Sequence, residues 1–113
     1  MAKHLMLNGE FLPADKPCLM HNNRGFLFAD SFSFTLRGNS SKAFFLEEYF
    51  DFLLRAVKTL KFERTLSLRK AGFAIDLELI LQKNRIYKGF KADVTVFRNS
   101  DGSDKCSVLI VPE

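Results

Sequence analysis

The sequence predicts an α+β domain: an antiparallel sheet of about six strands with two helices packed in a two-layer domain. Three observations carry this. Short apolar or period-two stretches occur in pairs towards both ends of the chain, an Asn-Gly dipeptide joins the first pair, and two segments with three- and four-residue apolar spacing follow one another between them. The order reads ββ, ββ, αα, ββ. With 113 residues, 47% hydrophobic and 27% charged, the chain has the length and composition of one globular domain with a single core. Thirteen Phe and no Trp make that core aromatic. No internal repeat, low-complexity segment or interior linker divides it, so residues 1–113 read as a single domain.

HLMLNGEFLP sets two apolar runs either side of Asn8-Gly9, whose tolerance of positive φ suits a type I′ turn. An opening hairpin follows. PADKPCLMHNNRG then reads as loop, because Pro13 and Pro17 remove ladder donors and Asn22-Asn23 favour side-chain turns. FSFTLR alternates, GNSS turns, and KAFF is expected to return as the paired strand.

From Leu46 to Lys61 the spacing of Leu46, Tyr49, Phe50, Leu53, Val57 and Leu60 predicts a helix, with Glu47 and Glu48 in its first turn and Lys58 and Lys61 in its last matching the helix dipole. Phe52 and Leu54 fall off that stripe and need a second covering surface. A second helix is expected from about Ser67 to Lys83, with Phe73, Leu77, Ile80 and Leu81 on one face and Gly72 weakening its first turns. FKADVTVF alternates as a strand, NSDGSD turns, and CSVLIVP closes the sheet at Pro112.

The formal charge is +4, from seventeen basic and thirteen acidic residues. The basic residues are scattered in the manner of solvated helix faces and turns, and FKADVTVF lacks the glycine-flanked aromatics of an RNA-binding sheet. No nucleic-acid partner is expected. Cys18 and Cys106 lie in no CxxC and near no His cluster, so neither zinc nor a redox pair is indicated. His4 and His21 are isolated, with no carboxylate or nucleophile spaced to use them. MAKHLMLNGEF has no apolar run of signal-peptide length, and nothing approaches the ~20 apolar residues of a membrane span, so a cytoplasmic protein without a membrane partner is expected.

The stretch NNRGFLFADSFSFTLR resembles the first-domain signature of the class IV (fold-type IV) pyridoxal-phosphate enzymes, roughly D-R-G-F/Y-x-F/Y-G-D-G-x-F-E-T-L-R. It matches at Arg24, Gly25, Phe26, Phe28, Asp30, Thr35, Leu36 and Arg37. LNGEFLPAD resembles that family's opening hairpin, FFLEEYFDFLLRAVKTLKF its first long helix, and ADVTVFRNS its V-T-x-R-G strand. The family includes branched-chain and D-amino acid aminotransferases and aminodeoxychorismate lyases. The resemblance therefore implies pyridoxal phosphate as the family cofactor, an amino acid or keto acid substrate in a complete protein, and dimerisation.

The departures from the pattern fall on chemistry. Where the family has His-x-x-Arg-Leu, this chain has Tyr49-Phe50-Asp51-Phe52-Leu53, so Phe52 occupies the position of the arginine that grips the cofactor phosphate. A phenyl ring binds no phosphate, and Phe52 is expected to fill core or domain interface. Arg55 lies one turn on, about 4.5 Å along the axis, and is a poor substitute. Ala29 and Ser31 replace glycines, Ser33 stands where an aromatic wall residue faces substrate, and Phe34 replaces the usual Glu.

By resemblance, the candidate substrate-binding residues are Arg98, Arg37 and Ser33; Arg98 ends the strand that looks towards the active site in the family. No catalytic, cofactor-binding or metal residue is assigned. The family's Schiff-base lysine belongs to a second domain, and none of the chain's lysines aligns with it. SVLIVPE falls about where the connector to that domain is expected to begin. Two readings follow: the first domain of a class IV aminotransferase-like protein, an aminotransferase or a lyase, inactive by itself with no cofactor of its own; or a stand-alone interaction domain that has lost catalysis. A homo-oligomer or the missing second domain is the expected partner.

Overall fold

The computed structural model describes residues 2–16, 31–40, 42–60, 69–98 and 106–113. Six strands form a single sheet: β1 (His4–Leu7), β2 (Glu10–Pro13), β3 (Ser31–Asn39), β4 (Lys42–Ala43), β5 (Phe90–Arg98) and β6 (Cys106–Pro112). They are ordered β2-β1-β6-β5-β3-β4, with every neighbouring pair antiparallel. Two helices, α1 (Leu46–Thr59) and α2 (Lys70–Lys83), cover one face. This is the α+β arrangement the sequence predicts.

The first hairpin follows from its turn. Asn8 and Gly9 both take positive φ, 52° and 82°, so Leu7 pairs with Glu10 and the type I′ twist matches the strands. Asn8 also extends the ladder towards β6: its Oδ1 accepts from the Val108 N–H at 2.8 Å and its Nδ2 donates to Ser107 Oγ at 3.1 Å. Pro13, read as loop, is instead the last residue of β2 and pairs with His4. Proline is tolerated there because β2 is an edge strand and needs no donor on its outer side. Pro17 lies outside the described residues.

The second hairpin is shorter on its return than expected. Only Lys42 and Ala43 pair, with Asn39 and Gly38, and β3 itself runs through Gly38 and Asn39 into the expected turn. Phe44 still donates its N–H to the Arg37 carbonyl at 2.8 Å, and then Phe45, at φ 57°, bends the chain into α1. A strand has period two, so consecutive phenylalanines there face opposite ways. Leaving the strand lets both remain at the surface.

Helix α1 buries Phe50, Leu53 and Val57, the predicted stripe, each worth about 1.5–3 kcal/mol of burial. Leu46, Tyr49 and Leu60 pack against that core from its rim, as does Leu54, which therefore needs no second surface. Helix α2 starts at Lys70, not Ser67, with Arg69 extended before it. Its stripe is as predicted: Phe73, Leu77, Ile80 and Leu81 are all buried. Against the two helices the sheet presents Met6, Leu36, Phe90, Ala92, Val94, Val96, Cys106, Val108 and Ile110 in one apolar layer. Cys106 is buried, and Cys18 lies outside the described residues. Among the described residues, no helix is long and apolar enough to cross a membrane.

Asn84 ties the end of α2 to the start of β1. Its Oδ1 accepts from the N–H groups of Lys3 and His4, both at 2.9 Å, while its Nδ2 donates to the carbonyls of His4 and Ile80, both at 2.9 Å. One side chain thus satisfies helix-end and strand-start groups together. The His4 ring beside it has a buried Nδ1 with no hydrogen-bond partner among the described residues.

Candidate functional site

The region singled out by sequence lies where α1 crosses β3. Alternation along β3 turns Phe32, Phe34 and Leu36 towards the helices and Ser33, Thr35 and Arg37 towards the other face. Phe52 of α1 meets the first two edge-on: its ring centroid is 6.3 Å from Phe32 and 6.0 Å from Phe34, with interplanar angles of 86° in both pairs. Tyr49, one turn earlier, stacks on Phe34 at 5.6 Å. These are favourable aromatic geometries. The cluster is open at the top, since Phe52 is 43% exposed; Phe44 and Phe45, just before α1, are exposed too, at 55% and 73%.

Phe52 is therefore surface and not core. Two shallow hollows flank it. The first, of about 320 Å³, is lined by Ser33, Phe34, Glu48, Tyr49 and Phe52; the second, of about 400 Å³, by Phe52, Arg55, Ala56, Thr59 and Leu60.

A cofactor phosphate needs convergent N–H donors or cations. At this position the chain offers three phenylalanine rings, a tyrosine ring and the acidic Glu48. Arg55 sits on the far side of Phe52, in the second hollow, beside Ala56 and Thr59. Its neighbour Thr59 turns its hydroxyl inward to the Arg55 carbonyl at 2.9 Å. The described residues at this position do not fit a pyridoxal phosphate group, and no step of chemistry is assigned to one here.

The three substrate-binding candidates are spread along the sheet. Ser33 is exposed and opposite Thr95; Arg37 is exposed and opposite Lys91. Arg98 closes β5, its backbone paired with Cys106, and its side chain lies outside the described residues. Lys91 and Arg98 are seven residues apart on one strand, so Arg37 and Arg98 mark positions about 23 Å apart at ~3.3 Å per residue. Ser33 lies between them.

The face that Ser33 and Arg37 share with Thr35 and Lys91 carries two polar pairs, whereas position 98, an odd number of residues from Lys91, belongs by alternation to the other face of β5. Thr35 Oγ1 donates to Asp93 Oδ1 at 2.7 Å, and Lys91 Nζ lies 3.6 Å from Glu113 Oε2. Arg24, Gly25, Phe26, Phe28, Asp30 and His21 lie outside the described residues, as do Ala29 and Lys61. Among the described residues no His, Cys, Asp and Glu group could hold a metal ion.

Sequence reasoning missed the exposure of Phe44 and Phe45, although adjacent phenylalanines in a strand period carry that signal. It also missed Asn84, whose side-chain bonds reach 80 residues back along the chain and leave no local trace.

No protein-family model matches the chain, and no curated protein matches it. Solved structures do. The T.th. branched-chain amino acid aminotransferase, complexed with N-(5′-phosphopyridoxyl)-L-glutamate, superposes with a TM-score of 0.85 at 13% identity, over 99% of this chain and 40% of that one. The Escherichia coli branched-chain amino acid aminotransferase gives 0.83 at 15% identity, over 100% and 41%. A hypothetical aminotransferase from Mycobacterium tuberculosis, in its PLP-bound form, gives 0.77 at 12%, over 97% and 39%. The chain thus spans about two-fifths of the length of the structures it matches. With its hairpins, helices and register in place, the chain has the fold of the N-terminal domain of the branched-chain aminotransferases, the class IV fold.

Proposed function

We propose that this chain is the first domain of a class IV aminotransferase-like protein and is catalytically silent as it stands. The observation that carries the reading is Phe52: it holds the phosphate-arginine position of the resembled family, and it presents an aromatic surface instead of a cation. A complete protein of this kind would act on an amino acid or keto acid, as a transaminase or a lyase. Ser33, Arg37 and Arg98 are its substrate-facing candidates, arginine suiting a carboxylate by bidentate pairing. The partner is a second domain or a second copy, the setting is cytoplasmic, and neither nucleic acid nor membrane is involved.

A second reading is favoured by a specific feature. Phe44, Phe45 and Phe52 together expose aromatic surface that a domain without a partner has no use for, which supports a non-catalytic interaction domain derived from the same fold. Sequencing the reading frame beyond the Glu113 codon separates the two readings: a continuing frame that encodes a further domain favours the first, a stop codon the second.

The functional test is direct. Purified chain is incubated with pyridoxal phosphate, reduced with borohydride and dialysed. The expected result is no stoichiometric, site-specific lysine adduct. Scattered sub-stoichiometric labelling of surface lysines agrees with the proposal, whereas one adduct per chain at a single lysine refutes it.

A further inference from the structure

Lysines and arginines that are scattered along the sequence gather in space at one end of the sheet, beside a pocket. We propose that this end binds an acidic polypeptide segment bearing one apolar side chain. Its pocket shares no lining residue with the hollows around Phe52. Lys91, at the start of β5, exchanges backbone hydrogen bonds with Glu113 at 3.2 and 2.7 Å, and Arg37 stands opposite it on β3. Lys42 pairs with Asn39 just beyond. Asn84 draws Lys3 to the end of α2 through the Lys3 N–H, which brings Arg85 to the same end, and Lys88 comes just before β5. All of these cations are exposed except Lys91, which is half-buried.

Of the described carboxylates, Asp15 and Glu113 lie at this end, and Asp93, one pleat in, accepts from Thr35 Oγ1 at 2.7 Å. Positive charge is therefore in excess here. Residues directly opposite on paired strands point to one face, where like charges cost stability. Arg37 and Lys91 are such a pair, relieved on one side by Glu113, whose Oε2 lies 3.6 Å from Lys91 Nζ. A further carboxylate laid across the two removes the remaining repulsion.

The pocket beside these cations measures about 780 Å³ and has apolar walls, Ala2, Leu5, Ala14, Val111 and Pro112, with Lys3, His4, Asp15 and Glu113 adding polar groups. That is the size of a small-ligand site and ample for one leucine or phenylalanine side chain. An acidic segment uses both features, its apolar anchor in the pocket and its carboxylates against Lys3, Arg85, Lys88 and Lys91. Tyr87, exposed between Arg85 and Lys88, adds a hydroxyl donor. A nucleic-acid backbone fits less well: it repeats its negative charge at every step, brings no aliphatic anchor, and meets Asp15 and Glu113 at the pocket. A peptide can space its carboxylates around those two.

The test is fluorescence anisotropy of the 113-residue chain with a short fluorescein-labelled peptide of glutamates around a central leucine, compared with the same peptide carrying glycine for leucine and with an oligonucleotide of equal net charge. The variants are K3E/K88E and Ala14→Phe, which fills the pocket; all three positions are exposed, and circular dichroism checks that each variant is folded. The wild type is expected to bind the leucine peptide, more weakly as salt is raised. K3E/K88E is expected to lose at least about tenfold in affinity. Ala14→Phe, or glycine in place of the leucine, is expected to lose about tenfold or more, the worth of one buried leucine. A wild type that does not bind the leucine peptide overturns the inference. So does binding indifferent to the charge reversal, to the filled pocket or to the loss of the leucine, and so does an oligonucleotide bound as tightly as the leucine peptide. The glycine peptide tests the anchor on the wild type itself, whatever the variants do. Each of these failures leaves the cofactor reading standing, because that rests on the borohydride experiment.

Discussion

Replacing Phe52 with Arg restores the residue type that the resembled family places at this position, and its cost separates a buried filler from an open contact surface. A buried Phe truncated in a core costs about 3–5 kcal/mol. Here 43% of the residue is already exposed, and its ordered contacts are two edge-on ring pairs, at 6.3 and 6.0 Å. Such pairs are worth about 0.5–1.5 kcal/mol each. An arginine stem re-covers part of the lost apolar area while its head reaches water, and a guanidinium over Phe34 returns about 0.5–1 kcal/mol. The net loss is about 1.5 kcal/mol, or roughly 5–10 °C in the unfolding midpoint of a domain this size. Thermal and urea unfolding of Phe52→Arg at low micromolar concentration, with and without pyridoxal phosphate, is the assay. A loss above about 3 kcal/mol would show that Phe52 is core in solution. A midpoint that is unchanged and then rises with the cofactor would show a latent phosphate site, against the function proposed above.

Gly38→Ala should destabilise by about 3 kcal/mol in urea unfolding, because a Cβ there overlaps the Lys42 carbonyl oxygen and lies 2.6 Å from the Phe90 ring, and neither can yield without breaking β4 or the core. A loss below about 1 kcal/mol would show that this hairpin is not packed as described. Asn84→Ala removes four hydrogen bonds, three to the start of β1 and one to the Ile80 carbonyl within α2, and about 3 kcal/mol of stability should go with them; unchanged amide exchange at Lys3 and His4 would contradict this. Asp76 lies beside the first hairpin, its carboxylate oxygens 3.8 and 3.9 Å from where a Gly9 Cβ would stand, and desolvation raises its pKa above the ordinary 3.8. A raised folded pKa means that the folded chain holds this proton more tightly than the unfolded chain. Its stabilising share is full below the unfolded pKa and fades as pH rises through the folded value. Asp76→Asn should therefore gain on the wild type between about pH 3 and 7; a constant difference in urea midpoint across that range would rule it out.

Much of the fold was legible because its signals are local. Asn8-Gly9 fixes one turn through two positive φ values, and the stripes Phe50-Leu53-Val57 and Phe73-Leu77-Ile80-Leu81 each fit one helical face. The misplaced edges have physical causes. Helix α2 starts late, at Lys70, with Arg69 extended before it and no side-chain cap. KAFF stops pairing after Ala43 because Phe45 takes a left-handed turn into α1, which no propensity marks. The candidate site was half legible. Motif alignment picked out Phe52, but the exposure of its ring depends on how closely β3 approaches α1, a tertiary quantity. The spread of Arg37 and Arg98 is likewise set by strand register, which alternation alone leaves open.

The two sides of α1 answer to different requirements, so the same fold can stand at 13% identity. Phe50, Leu53 and Val57 meet the sheet, where a lost methylene is felt as a cavity, so apolar bulk at those positions is demanded by the fold itself. Phe52 stands at the rim of that contact, edge-on to Phe32 and Phe34 and 43% exposed. Phe50, Leu53 and Val57 carry the core, so a change at position 52 costs the two edge-on ring pairs and leaves those three burials in place.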